Sequence, residues 1–547
     1  MRVKISASAL LGVAVSFSVQ PAVAQNVTAA DVNVLNLLSP FLGLNGSGIG
    51  QTTLTTNLNN AIAVNQFAGT QPLIEATSIS DKTIFGSAST SITLANSSSA
   101  SYGPGANLAG GLPLQAIQNG ATPGTINPYQ PYGGFGTLGA AYQAAVSPGG
   151  AAVPSVVTLL TNTYNFTSTD LGVAKYYFAN GTNNGTTTTV APAGYTLPTA
   201  NGYPNNSTSV YDTAYGVSKT GANQDIYGDS RPVQVAPSSI NGYDPNALTG
   251  LASNPSFPSG HTNYAFTDSI LIGMLAPQFY QSMLLRGSEY GNSRIDLGVH
   301  YPLDIIASRA FASFDLAQLL TATSPAYLQT NAVSGATPQN INSQFQTAAT
   351  ALTSYLNTAA ASSSCNSVAN CAANNPYNSY SASTYQNAPF VANAGTTTAS
   401  VNSAIYQSRL TYGLPTLSFA AAPREAAPVS TGDASILLAT VYGGSSTAAQ
   451  ALANSVGGAL YGNLSTNTIN QIIVNTETNA LAAFYGTSLS YWTRIDLYDA
   501  DGGGGWCATA FGDHGRAGGD GAAPDSADCG WRDQILWRFR EGDCGGC

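Results

Sequence analysis

Three short stretches in the middle of the chain carry most of its chemistry: Ser230–Pro232 (SRP), Pro258–His261 (PSGH) and Ser293–Asp304 (SRIDLGVHYPLD). The chain has three histidines in 547 residues, and two of them, His261 and His300, lie in these stretches. Basic side chains are also scarce, with 16 Lys and Arg in total, and the first and third stretches each contain one arginine. Because the rarest reactive side chains gather here, we expect a single functional site.

Together, the stretches resemble the signature of the superfamily that contains type 2 phosphatidic acid phosphatases, bacterial class A acid phosphatases and vanadium-dependent haloperoxidases. That signature is a Lys, six residues and Arg-Pro, then Pro-Ser-Gly-His, then Ser-Arg, five residues, His, three residues and Asp. The second and third blocks match throughout. The first matches only at Arg231-Pro232, because Gln224 stands where the family has lysine. The motif core spans 224–304, and a less specific resemblance to larger secreted bacterial members covers much of 25–499.

The resemblance implies a mainly α fold with a helical-bundle core, and the spacing of apolar residues agrees with it. Helical periodicity predicts helices at Ala30–Leu42, Thr262–Leu275, Gln278–Tyr290, Pro302–Leu320, Asn340–Ala361 and Ser445–Leu460. Residues 83–169 contain no charged side chain and are rich in Gly, Asn and Thr. We expect long irregular loops there.

The residue types suit the phosphate-ester chemistry that the resemblance implies. Charge in the transition state spreads over the phosphate oxygens, so catalysis needs positioned cations and N–H donors. Arg231 and Arg294 are the predicted clamp, because a guanidinium can bind phosphate through two hydrogen bonds. Ser259 and Gly260 precede the helix predicted from Thr262, so their hydroxyl and N–H are expected to face the anion.

His300 is the predicted nucleophile. Asp304 follows one helical turn later, so its carboxylate can hold one ring nitrogen protonated and leave the other free to attack phosphorus. His261 would protonate the leaving oxygen and then activate the water that hydrolyses the phosphohistidine. Asp296 is expected to pair with an arginine rather than to act.

Position 224 departs from the family pattern. Gln224 is predicted among the phosphate-binding residues, where its amide supplies a hydrogen bond without a charge. Two arrangements stay open: Lys219, five residues further upstream, reaches the pocket through a longer loop, or the pocket works with the two arginines alone.

The leading interpretation is a secreted acid phosphatase that hydrolyses small phosphomonoesters and needs no metal or other cofactor. A vanadium-dependent haloperoxidase is the alternative, because the same pocket can hold vanadate with His300 as its ligand. A third interpretation is an exported, non-enzymatic surface protein with a vestigial core, which the uncharged segment and Gln224 favour. Homo-oligomerisation stays open.

Composition narrows the classes of function. Charged residues make up 8% of the chain, where globular proteins average about 25%. The formal charge of −10 argues against a nucleic-acid partner, which would require a basic face. A hydrophobic content of 44% is enough for a large core.

The two ends of the chain differ from the body. Residues 1–24 have a basic start, an apolar run at 7–19 and small residues at 22–24, as in a secretory signal peptide, so we expect secretion or periplasmic export. No other stretch is apolar for long enough to cross a membrane. The body, 25–499, is predicted as one helical phosphatase-like domain.

All four tryptophans and four of the six cysteines follow position 490. Residues 500–547 therefore read as an atypical tail, which is either the product of a frameshift or a small Cys-rich module. The other two cysteines, Cys365 and Cys371, are predicted to form a disulfide in an oxidising compartment.

Overall fold

The computed structural model describes residues 25–82, 92–93, 101–102, 130–146, 151–321, 325–327 and 340–502, apart from 222, 245, 246, 249, 393 and 429–432. The predicted signal peptide and tail residues 503–547 lie outside the described residues. The helices are α1 Ala29–Leu38, α2 Gly48–Ala68, α3 Pro72–Lys82, α4 Gly139–Ala145, α5 Pro154–Asn180, α6 Val210–Tyr215, α7 Pro232–Val235, α8 Gly260–Leu275, α9 Tyr280–Asp296, α10 Pro302–Thr321, α11 Ile341–Ala361, α12 Val368–Ala373, α13 Pro376–Tyr385, α14 Thr398–Thr411, α15 Ala439–Tyr442, α16 Thr447–Ser455, α17 Thr466–Thr476, α18 Ser488–Arg494 and α19 Leu497–Gly502.

Short 3₁₀ segments and two-residue strands connect these helices. The 3₁₀ segments are Ser39–Gly46, Gln130–Leu138, Leu251–Ser253, Pro277–Phe279, Pro325–Tyr327 and Ala434–Leu438. The strands are β1 Gln25–Asn26, β2 Ile92–Thr93, β3 Ser101–Tyr102, β4 Thr189–Val190, β5 Thr416–Leu417 and β6 Ala480–Leu481. β1 pairs with β4 in parallel, while β2 with β3 and β5 with β6 are antiparallel. The mainly α prediction is confirmed.

The boundaries of three predicted helices differ from the structure, and one of these, α9, continues to Asp296, six residues past the predicted Tyr290. α1 ends at Leu38, because Pro40 has no N–H to continue the α-helical ladder, and the chain goes on as a 3₁₀ segment. α16 ends at Ser455, well before the predicted Leu460. Gly457 and Gly458, with φ of 94° and 113°, turn the chain away there.

Helix α5 occupies part of the region that we expected to form loops, so that expectation is wrong for residues 154–169. Pro154 presets the backbone of its first turn, and Gly181, with φ of 82°, ends it in a left-handed cap. Its buried side chains, such as Leu159 and Leu160, pack inside the protein. One face of this part of α5 therefore belongs to the core.

The centre of the fold is a group of buried helices. α8 packs along α9, and both α10 and α5 pack against α8. Every side chain of α8 from Thr262 to Leu275 is buried, as expected for a helix surrounded by others. A Cβ atom at Gly287 of α9 would lie 2.5 Å from Ser269 Oγ, so glycine permits this close approach. One hydrophobic core extends from Val27 to Ala500.

A buried ion network lies beside this core. Arg286 of α9 forms ion pairs with Asp81 of α3 and with Glu289, whose carboxylate is 3.7 Å from Arg286 Nη1. The hydroxyls of Tyr377 and Tyr385 donate to the same Glu289 carboxylate. Each charge in this network therefore has an opposite charge or a hydroxyl donor beside it.

A disulfide and the lengths of the helices relate to the predictions of an oxidising compartment and of no membrane-spanning segment. Cys365 and Cys371 form the predicted disulfide. Of the helices that the structure describes, none is both long and apolar enough to pass through a lipid bilayer.

Candidate active site

The three motif stretches meet at the ends of short and long helices. Arg231 is the residue before α7, and Ser259 is the residue before α8. Arg294 lies in the last turn of α9, and Asp304 lies in the first turn of α10. His300 is in the short connection between α9 and α10. Helix ends thus carry the residues that the motif spacing predicts to act together.

His300 is held between an arginine and a carboxylate. Its Nδ1 is 2.9 Å from Asp304 Oδ2, and its Nε2 is 3.0 Å from Arg231 Nη1. Arginine can only donate, so Nε2 is the acceptor and the ring proton is on Nδ1, facing the carboxylate. This is the tautomer that a nucleophilic Nε2 requires.

Asp304 accepts hydrogen bonds from three further donors. Tyr211 Oη donates to Oδ1 at 2.6 Å, Ser256 Oγ donates to Oδ2 at 2.6 Å, and the Tyr301 N–H donates to Oδ2 at 3.0 Å. Burial raises the pKa of Asp304, whereas the hydrogen bonds from Ser256, Tyr211 and Tyr301 lower it. The carboxylate is therefore fixed in position, and it fixes the orientation of the imidazole in turn.

Arg231 is 3% exposed and is held mainly by backbone carbonyls. Its Nε donates to Asn254 O, its Nη2 to Pro255 O and its Nη1 to Val299 O, at 3.0, 3.1 and 2.7 Å. These neutral acceptors orient the guanidinium without cancelling its positive charge.

Arg294 is fully buried and has one nitrogen that is not used. Its Nη2 donates to Ser293 Oγ at 2.8 Å, and its guanidinium lies 4.7 Å from the centre of the Tyr290 ring. Its Nη1 has no hydrogen-bond partner among the residues that the structure describes. A buried donor without a partner is costly, which favours an anion as its natural partner.

The Pro-Ser-Gly-His stretch forms the N-terminus of α8. Ser259 Oγ accepts from the Thr262 N–H and from Thr262 Oγ1, at 3.3 and 2.9 Å, so it caps the helix. A Cβ atom at Gly260 would lie 3.2 Å from Leu171 Cδ2, which leaves little room for a side chain. His261 lies in the first turn of α8 and is partly exposed, with its ring 6.1 Å from the Tyr290 ring.

Three other residues singled out from the sequence have different surroundings. Gln224 donates to the carbonyl of Gln234, at 2.9 Å, in α7. Lys219 is partly exposed and lines an open surface cavity of about 690 Å³ together with Tyr227. Asp296 accepts from Ser78 and Asn292 and forms no ion pair with an arginine among the described residues.

A lysine that no motif predicted lies at the site. Lys175 of α5 is 8% exposed, and its Nζ donates to Pro258 O at 3.0 Å and to Ser256 O at 3.4 Å. The sequence offered no motif for it, because it lies far upstream of Arg231 in the segment that precedes the matched signature. Tyr211 also lies upstream of the matched signature, and Ser256 lies inside the motif core at a position that the signature does not specify.

The electrostatics around His300 are dominated by cations. Burial lowers the pKa of His300 well below its ordinary value, and Arg231, Lys175, His261 and Arg294 lower it further. Four basic side chains thus lie close enough to the imidazole to lower its pKa. Such an arrangement binds an anion and leaves the imidazole unprotonated and nucleophilic.

Within the described ranges, His, Cys, Asp and Glu side chains form no group of three or more that could hold a metal ion. The side chains of the site can bind an anion, transfer protons and attack as a nucleophile.

Comparison with known proteins finds similarity over the part of the chain that contains the three motif stretches. The chain contains a PAP2 superfamily domain at residues 213–324. The non-specific acid phosphatase of Salmonella typhimurium is 35% identical over 71 residues, which are 13% of this chain and 28% of that protein. The corresponding enzyme of Providencia stuartii is 36% identical over 69 residues, 13% and 28% of the two chains.

The acid phosphatase of Zymomonas mobilis is 36% identical over 70 residues, which are 13% of this chain and 26% of that protein. The similarity thus spans little more than a quarter of the length of these relatives. The predicted membership of the superfamily is confirmed for the matched domain.

Proposed function

We propose that this protein is a secreted acid phosphatase that hydrolyses phosphomonoesters through a phosphohistidine on His300. The observation that carries the proposal is the arrangement around that ring: its Nδ1 proton faces Asp304, its Nε2 faces Arg231, and burial together with four basic groups lowers its pKa. The similarity to acid phosphatases supports the same reaction. The signal-peptide pattern of residues 1–24 supports export.

Substrate binding uses the donors that are not satisfied within the protein. A phosphate group would accept from Arg294 Nη1, from the Ser259 hydroxyl and from the Gly260 N–H at the start of α8. It would also accept the Arg231 Nη1–H that now points at His300 Nε2. This exchange frees the Nε2 lone pair at the moment when phosphorus arrives in front of it.

The reaction then takes two displacements. In the first, Nε2 of His300 forms a bond to phosphorus as the ester P–O bond breaks, and His261 gives its proton to the leaving oxygen. Asp304 stabilises the positive charge that develops on the ring. In the second, His261 removes a proton from water, the water oxygen bonds to phosphorus, and the P–N bond breaks to release inorganic phosphate.

Steady-state hydrolysis of p-nitrophenyl phosphate by the wild type and by His300→Ala tests the proposal. We expect the variant to lose at least about a thousandfold in kcat, because the group that forms the intermediate is absent. Equal thermal unfolding of the two proteins would show that the loss is chemical. A wild type whose trace hydrolysis equals that of His300→Ala would refute the proposal and favour a vestigial core.

A parallel assay separates the haloperoxidase alternative. The wild type is incubated with vanadate, hydrogen peroxide and bromide, and bromination of an organic acceptor is followed. We expect hydrolysis of the phosphate ester and no vanadate-dependent bromination. Bromination together with no hydrolysis would overturn the phosphatase assignment.

A further inference from the structure

Lys175 is a buried cation that the proposed mechanism has not yet used. It lies in the sixth turn of α5, and the structure leaves 8% of its surface exposed. Both of its hydrogen bonds end on neutral backbone carbonyls, those of Ser256 and Pro258. Among the described residues, no carboxylate lies within ion-pair distance of its Nζ. A buried ammonium without a counter-ion is destabilising, so it calls for a functional reason.

The carbonyls that hold Lys175 belong to the segment that builds the site. Pro258 directly precedes Ser259, the residue that caps α8, and the Ser256 side chain donates to Asp304. An ammonium group has three N–H bonds, and two of them are directed to these carbonyls. One N–H is left for another acceptor at the same end of α8.

The charged groups that face Lys175 come from three elements. Arg231 lowers its pKa, whereas Asp304, Asp225 and Asp229 raise it. Lys175 in turn lowers the pKa of His300. Lys175 is therefore close enough to interact electrostatically with Arg231 and with Asp304, the acid that orients His300.

The structure assigns to Lys175, rather than to Gln224 or Lys219, the third cation that binds the substrate phosphate, an inference that rests on the proposed function. Gln224 bonds to the backbone of α7, and Lys219 lines the open surface cavity. Lys175 reaches the site from a helix that lies before Arg231 in the chain. The part of the chain between them contains β4 and the short helix α6, and Arg231 lies close enough to Lys175 to lower its pKa.

The assignment also implies a dependence on pH. Burial, and then Arg231, lower the pKa of Lys175 to about 7, so its charge is complete in mild acid and is lost as the pH rises above neutrality. Phosphate binding should weaken in the same range. An arginine at position 175 would keep its charge there.

The test compares Lys175→Met with the matched variant Lys219→Met at pH 5.5. The probe is inorganic phosphate, whose inhibition constant is measured beside KM and kcat for p-nitrophenyl phosphate. Removing a charge-assisted hydrogen bond should raise the inhibition constant and KM of Lys175→Met about 10- to 100-fold. Lys219→Met should match the wild type within about twofold. Unchanged phosphate inhibition in Lys175→Met, or the loss in Lys219→Met instead, would overturn the assignment.

Lys175→Arg distinguishes phosphate binding from a purely structural role. The kcat/KM of this variant, divided by that of the wild type at the same pH, should rise between pH 6 and pH 9. Dividing the two values removes the effect of substrate ionisation, which is the same for both proteins. A lysine that only held the Ser256 and Pro258 carbonyls would give a flat ratio and a lower Tm in Lys175→Met, with normal phosphate inhibition.

If the wild type neither hydrolyses the ester nor binds phosphate, the proposed function fails. If the wild type is active and only these responses are missing, the Lys175 assignment alone fails.

Discussion

Among the buried charge clusters in the part of the chain that the structure describes, those around Arg286 and around His300 are built differently. In the network around Arg286, the guanidinium has Asp81 and Glu289 as ion-pair partners. Two tyrosine hydroxyls also donate hydrogen bonds to the Glu289 carboxylate. In the cluster around His300, Arg231 and Lys175 are held by backbone carbonyls, and Arg294 keeps one nitrogen without a partner.

The difference separates charge that serves the fold from charge that serves a ligand. A buried cation with a carboxylate beside it is neutralised and links two helices. A buried cation that is oriented by neutral carbonyls keeps its field, which then acts on whatever enters the site. Burial alone does not distinguish the two clusters, whereas the hydrogen-bond partners of the cations together with their position beside His300 do.

Replacing Arg231 tests the catalytic cluster and should give the largest effect after that of His300→Ala. Arg231→Lys keeps a charge but loses the planar fork that contacts three carbonyls and His300 Nε2. We expect kcat/KM to fall by roughly 10²- to 10³-fold, because phosphate loses a positioned donor in the transition state. The measurement is hydrolysis of p-nitrophenyl phosphate at mildly acidic pH.

Arg309→Lys is the matched control for this change. Arg309 is 4% exposed and is also held by backbone carbonyls, those of Ile495 and Thr493 among them, but it has no contact with His300. The Arg309→Lys change should lower Tm. It should leave kcat/KM per folded molecule within about threefold of the wild-type value. An equal loss of activity in both variants would show that packing, rather than the site, determines the result.

Replacing Arg286 tests the other cluster. Arg286→Met leaves Asp81 and Glu289 as buried carboxylates without their cation. The free energy of unfolding should fall by roughly 3–5 kcal/mol, the usual cost of removing one partner from a buried pair. Urea unfolding followed by circular dichroism measures it. Activity per folded molecule should change little, and a large loss of kcat at constant stability would contradict the division between the clusters.

A change of pH should have a smaller effect, on the stability of the fold. It titrates buried groups near the catalytic cluster and leaves Arg286 charged. Burial raises the pKa of Asp225 to about 8 and that of Asp296 to about 7. A carboxyl group whose pKa is higher in the folded than in the unfolded state stabilises the fold at low pH, and this contribution is lost as the pH rises. Lys175, with its lowered pKa, opposes the trend above neutrality.

Buried carboxyl groups with raised pKa outnumber this one lysine. Asp170, Asp229, Asp268 and Asp315 also have pKa values raised well above the ordinary one, mainly by burial. We therefore expect Tm to fall by several degrees between pH 5 and pH 8. Differential scanning calorimetry across this range provides the check, and a Tm that rose with pH would show that these groups are ionised in the folded protein.

The sequence was informative where spacing reflects chemistry. The interval between His300 and Asp304 predicted their contact, because one helical turn brings such residues together, and the observed distance is 2.9 Å. The boundaries of α8 and α10 followed from apolar periodicity in the same way. These are local properties, so they can be read from neighbouring residues.

Long-range partners were not predictable in this way. Tyr211 and Ser256 reach Asp304 from segments far from it in the chain, and Lys175 belongs to a helix that begins in an uncharged Thr- and Asn-rich region. The absence of charge in that region predicted loops, whereas α5 places Leu159 and Leu160 in the core. Only the packing of α5 against α8 shows that its lysine belongs to the site.

The most direct test of the account is whether phosphorus becomes attached to His300. The wild type is mixed rapidly with a phosphate ester and quenched in alkali, where a phosphohistidine survives, and the modified residue is located by peptide mass spectrometry. The account predicts a phosphate on His300 that acid removes, and none in His300→Ala. Rapid turnover by the wild type with no phosphorylated histidine, or with the phosphate on another residue, would contradict it.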